Sequence, residues 1–293
     1  MIGKASPAAL GFRVLVVTLA LFALSAVDLT GPSLSESAQS TPLTLLVVSL
    51  LNALAIGYAV ARSHWGGWRL ALAVFLVFFA SRTLLVAVET VYLAVLPTDV
   101  AVNLLPNGFV TAALAVPLAV LMHGRLPSRV ARESASYPAL SKKEWLGKLL
   151  LVAILWDFCF VLFGGLVFLP LAGWLDPAGL AAYGELAMPE WLLAFQAARG
   201  AIWALLAVPL IRATGGAGIA VALLFAVPMS GNLLLAAEMS AGLRAAHLTE
   251  VFGGNLAFGL IVTWLFGRHH HSPLSLLRPG SGSGRIAAAK DAR

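Results

Sequence analysis

Eight side chains in this sequence can bind solutes or exchange protons, yet all of them lie inside long apolar stretches: Arg82, Glu89, Gln196, Arg199, Asn232, His247, Glu250 and Asn255. An ionisable group at the centre of a membrane helix costs roughly 2.5–3.5 kcal/mol on insertion scales, so such groups face protein or water and usually pair. Arg82 and Glu89 fall two turns apart on one helical face, and His247 and Glu250 are neighbours at a spacing of three. Pairing the two arginines with the two carboxylates would relieve most of the cost. His247 would then be free to titrate near neutral pH. The eight are therefore candidates for substrate binding or proton linkage. An equally weighted reading makes them buried ion pairs and hydrogen bonds that fix helix packing.

Other chemistries find less support. His247 and Glu250 are spaced to chelate a metal, but a catalytic zinc wants three protein ligands and only Glu89 is offered as a third. No metal is assigned, no phosphate-binding glycine loop or dinucleotide fingerprint occurs, and no cofactor is expected. The single cysteine, Cys159, cannot form an intramolecular disulfide.

The elements that position these groups follow from composition. The chain has 293 residues, 60% hydrophobic and 11% charged, with a mean hydropathy of +0.92. Soluble domains carry about 25% charged residues, so this chain buries its surface in lipid. Apolar runs of about 20 residues, the length that crosses a bilayer, occur at 9–28, 43–61, 70–96, 101–122, 149–174, 191–211, 216–237 and 245–267. The fold class expected is an all-α, polytopic membrane bundle of eight transmembrane helices. It forms a single domain over 1–267, followed by a basic, disordered tail over 268–293.

Sixteen Lys and Arg fall in alternate loops, the termini and the starting end of the first span, and one, Arg244, falls on the other side. The positive-inside rule makes the rich side cytoplasmic, with both termini there, and the location a cell (plasma or inner) membrane. This placement also explains the net charge of +6 without nucleic acid as a partner. On that topology most intramembrane polarity lies in the outer half of the bilayer and comes from five helices. Asp157 is the exception, toward the inner half. Ser141 with Glu144 predicts a capping box at the entry to span five, and Asp176-Pro177 a short surface helix. Arg82 and Glu89 faintly echo Arg244 and Glu250, but flanking residues do not match and no repeat is assigned.

The function expected is that of a transporter or permease for a small polar or amphipathic solute, possible proton linkage included. The alternatives are an intramembrane enzyme acting on lipid-like substrates with His247 and Glu250 as acid–base pair, and a non-catalytic assembly subunit. The partners expected are the lipid bilayer and an unidentified small-molecule or lipid-like ligand.

Overall fold

In a computed structural model the eight apolar stretches are eight helices long and apolar enough to cross a membrane, and no strand occurs among the described residues. The protein is a multi-pass membrane helical bundle. The structure describes residues 6–27, 41–92, 98–126, 140–184, 189–236 and 239–267, with the backbone alone at 90, 92 and 98–103. The tail over 268–293 lies outside the described residues.

The helices are α1 (Pro7–Ala26), α2 (Pro42–Arg62), α3 (Gly67–Phe79), α4 (Leu85–Tyr92), α5 (Thr98–Met122), α6 (Lys142–Phe163), α7 (Leu169–Leu175), α8 (Pro177–Gly184), α9 (Leu192–Ala213), α10 (Gly218–Leu235) and α11 (Ala241–Gly267). A π-helical turn, Ala80–Leu84, joins α3 to α4 into one span, and a second, Gly164–Phe168, joins α6 to α7. Helix starts follow local chemistry. Ser6 and Thr41 each cap with a side-chain oxygen and are followed by proline, whose missing N–H costs nothing there. Ser141 and Glu144 form the reciprocal capping box, which begins span five at Lys142, well before its apolar run.

Large apolar side chains stay exposed in rows. Leu150, Ile154, Phe158 and Val161 on α6 present one face to the outside, as lipid contact requires. Only 17% of the span-five window is buried, and the same share of span one, so both are peripheral.

The packing divides the bundle into two halves with one neighbour pattern. In the first, α1 packs on α2 and α5, α2 packs on α3 and α5, and α3 with α4 packs on α5. In the second, α6 packs on α9 and α11, α9 packs on α10 and α11, and α10 packs on α11. Across the divide α2 meets α10, α3 meets α9, and the span-three π turn meets α10. Each half contributes its second and third spans to the seam. At one end the α2–α3 and α9–α10 turns touch, with His64 N donating to the Ala213 carbonyl at 2.7 Å and Ser63 Oγ to the same oxygen at 3.1 Å. Both turns hold a left-handed glycine, Gly67 (φ 65°) and Gly215 (φ 63°). Such a repeat is not evident from residue identity, and the seam is where the candidate polar residues gather.

Candidate functional site

Two polar clusters lie toward the end of the bundle opposite those turns. The first is built on the seam. Arg199, 5% exposed on α9, pairs with Glu89 of α4 at 2.7 Å between Nη1 and Oε1. Gln196, one turn earlier, is fully buried and ties the pair together. Its Oε1 accepts from Trp156 Nε1 at 3.0 Å and from Arg199 Nη1 at 3.3 Å, while its Nε2 donates to Glu89 Oε1 at 3.4 Å. The guanidinium sits 5.7 Å from the ring centre of Trp156 and 5.6 Å from that of Trp203. Such placement adds cation–π attraction in a site shielded from water. Below it Trp203 stacks on Phe225 at 4.6 Å and donates Nε1 to Ser81 Oγ at 2.9 Å. Gly200 permits this, since a Cβ there would lie 2.5 Å from Trp156 Cβ.

The charge balance of this cluster is one guanidinium against one carboxylate. Arg199 also approaches Met229 Sδ at 3.9 Å, and its Nε is buried without a partner among the described residues. Glu89 is the more accessible member, with 24% of its side chain exposed. The arrangement is a buried guanidinium paired with a partly exposed protein carboxylate.

The second cluster belongs to α11. His247 Nδ1 and Glu250 Oε2 lie 2.6 Å apart. The imidazole faces Phe168 at 5.4 Å and Tyr183 of α8 at 6.1 Å between ring centres. The second π turn shapes this site, because a Cβ on Gly164 would stand 3.7 Å from Glu250 Oε1. Single π turns interrupt helices at functional sites with some frequency. Here each of the two adjoins one polar cluster. Asp176 caps α8 by accepting from Gly179 N at 2.9 Å, and its other oxygen meets the Ser240 hydroxyl at the head of α11. These bonds, the Ser240 hydroxyl foremost, hold the Asp176 carboxyl below its usual range. They also pin α8 over the histidine.

Tyr183, which reads in sequence as part of a surface loop helix, stands beside Phe168 and His247 in the second cluster. Burial pushes its hydroxyl up to about 12, with the carboxylates of Glu250 and then Glu89 adding to the shift. It therefore keeps its proton at physiological pH. A lone tyrosine beyond a proline-started turn carries no sequence signal for that placement.

The remaining candidates divide. Arg82 does not join either carboxylate: its Nη2 donates to Ser25 Oγ on α1 at 2.9 Å. The reason is the π turn that contains it. One extra residue in the turn swings Arg82 about 100° away from the face of Glu89, so seven-residue spacing no longer means one face. Its backbone takes part instead, as the Arg82 carbonyl accepts from Asn232 Nδ2 at 2.7 Å across the seam. Asn255 lies deeper on α11 and donates Nδ2 to its own helix at Val251 O, at 2.7 Å. Its Oδ1 and that of Asp157 are buried without a partner among the described residues. No group of three His, Cys, Asp or Glu there is placed to hold a metal ion.

Comparison with known proteins identifies no relative. No family model, no curated protein and no solved structure matches this chain. Function is therefore argued from the site alone.

Proposed function

We propose that this protein is a transporter or permease for a small anionic or amphipathic solute, bound at the seam between its two halves with Arg199 as the anchor for the anionic group. The carrying observation is the Arg199–Glu89 pair, whose base comes from one half and whose acid comes from the other. Repeat interfaces are where many transporters bind substrate. A solute carboxylate entering from the Glu89 side displaces that side chain, and the freed carboxylate can take a proton from the solvent that enters with the solute. The excess of Lys and Arg toward the other end supports an extracytoplasmic position for this one.

The test is thermal stabilisation of the purified protein by simple carboxylates (acetate, propionate, benzoate) at pH 6 and pH 8. Glu89→Gln removes the competing anion and tightens carboxylate binding, Arg199→Gln abolishes it, and His247→Gln flattens its pH dependence. Indifference of wild-type stability to every carboxylate, or equal stabilisation of the Arg199→Gln protein, rejects this function.

A second function rests on the 2.6 Å contact between His247 and Glu250, since a carboxylate-oriented imidazole is the arrangement of a general base. An intramembrane enzyme acting on lipid-like substrates would use it. Turnover of a fluorescent phospholipid by wild type, lost in His247→Gln, would favour it over transport.

A further inference from the structure

The matching neighbour pattern extends to the register of individual residues. Counted back from the Gly-Arg that follows each fourth span, Ala112, Ala115 and Val116 of α5 are buried where Asn255, Phe258 and Gly259 of α11 are buried. On the second spans, Asn52, Ala53, Ala59 and Val60 of α2 fall where Trp203, Ala204, Leu210 and Ile211 of α9 fall, and all eight are buried. The lipid-facing positions match too, Leu51 and Leu54 against Ile202 and Leu205. Four spans are an even number, so both halves run in the same direction. The halves are thus related by a pseudo-two-fold axis along the bundle, with α3 and α10 beside it.

That relation gives every seam residue a twin. In the seam of α9 with span three, Arg199 and Trp203 line one side and Ser81 answers Trp203. In the seam of α2 with α10, the twin of Arg199 is Val48 and that of Trp203 is Asn52. Asn52 lies against α10 at Gly231, where an added Cβ would stand 3.8 Å from its Nδ2. Asn52 is fully buried, and both ends of its amide lack partners among the described residues; so does the hydroxyl of Ser230, 6% exposed, beside Gly231. A buried amide left open at both ends costs free energy that an apolar residue would not, so its presence needs a reason. The twin seam keeps neutral hydrogen-bonding capacity where the first seam keeps charge. Gly231 lets α2 approach closely, since a Cβ there would meet Val48 Cγ1 at 2.9 Å.

We propose that Asn52 and Ser230 form a second, uncharged subsite of the same solute path, which takes a hydroxyl or amide group. The solute is then a hydroxy- or amido-acid rather than a plain carboxylate. This rests on the transporter function above. Arg199 holds the anion on one side of α10, and the neutral group is read on the other side, about one helical turn from its depth.

Matched acids test it on the full-length purified protein: propionate against lactate, and butyrate against 4-hydroxybutyrate, by thermal-shift titration at pH 7. In wild type the hydroxy acid of at least one pair binds about five- to tenfold tighter, as one extra hydrogen bond allows. In Asn52→Leu and in Ser230→Ala that preference falls below about twofold while binding of the plain acid is unchanged. Equal affinity for both members of both pairs in wild type overturns the subsite and leaves the Arg199 anchor standing. Preference that survives in both variants overturns the subsite as well. Absence of stabilisation by any of the four acids overturns the anchor and the subsite together.

Discussion

The two halves share neighbours and burial register but not chemistry. Where α9 meets span three, a guanidinium, a carboxylate and two indoles fill the seam; where α2 meets α10, Val48 and Gly231 pack directly against each other. Ion pairs and hydrogen bonds often serve as glue between membrane helices. The second seam argues that charge of that kind is not needed here, because where α2 meets α10 Val48 packs directly on Gly231 and the buried polar groups are neutral. A buried charge that the architecture does not require, at a joint whose twin manages without it, is better explained by what it binds than by what it holds.

The sharpest way to break this comparison is to remove the charge and its twin in turn. Arg199→Ala leaves the half-buried Glu89 carboxylate and the buried amide of Gln196 without their cation, and with Glu89 partly exposed the cost is about 2–3 kcal/mol, below that of a fully buried pair. Val48→Ala removes two methyl groups from the twin position and costs about 1–2 kcal/mol. If the pair is not structural glue, the joint replacement Glu89→Leu with Arg199→Met recovers most of the loss while carboxylate binding stays absent. Chemical or thermal unfolding in detergent measures all three. Persistent instability of the double variant would return the pair to a structural role.

A smaller difference, of opposite sign in the two seams, comes next. Ser81→Ala leaves the indole N–H of Trp203 buried and unpaired, a loss of about 1–3 kcal/mol. In the other seam, Asn52→Leu at the position matching Trp203 removes an amide with no partner to lose among the described residues, so stability rises or stays level. Unfolding midpoints moving in the same direction would show that the seams are not paired as argued.

What could be read in advance divides along the same line. The eight spans were legible because lipid tolerates no alternative to long apolar helices, and the Ser141–Glu144 box was legible because its two bonds are local. The extracytoplasmic end and the tail stand as expectations. The convergence of Glu89, Gln196 and Arg199 followed from depth alone, since residues at one level in five helices have few places to meet. Arg82 was misjudged because a π turn leaves no mark in residue spacing, and one extra residue rotates everything across it. Tyr183 was missed because its role depends on a capped helix folding back over α11. The duplication was invisible because lipid-facing and core positions exchange Leu, Ile, Val, Ala and Phe freely. What the two halves preserved is which positions are buried, and that emerges only when burial is seen.

The mildest contrast between the halves lies at the ends of their fourth spans. His123 follows α5 where Phe266 ends the matching stretch of α11, and each is approached by a basic residue of its own half's first span. Lys148 lies 5.5 Å from the Phe266 ring, and Arg13, which occupies the matching position of α1, acts on His123. Burial lowers the imidazole below its ordinary 6.5, an effect opposed by the Ala119 carbonyl bond and reinforced by Arg13 and Arg125. The sign follows directly: below pH 6.5 the unfolded chain takes up a proton that the folded chain refuses, so stability falls as the solution is acidified through that window and is flat above it. One group can contribute a slope no steeper than one proton. His123→Phe, which copies the second half onto the first, removes this contribution, and unfolding midpoints measured from pH 7.5 to 5.5 should lose slope relative to wild type. An unchanged slope would mean that His123 is already neutral-tolerant or charged in both states, and that the two ends differ in shape alone.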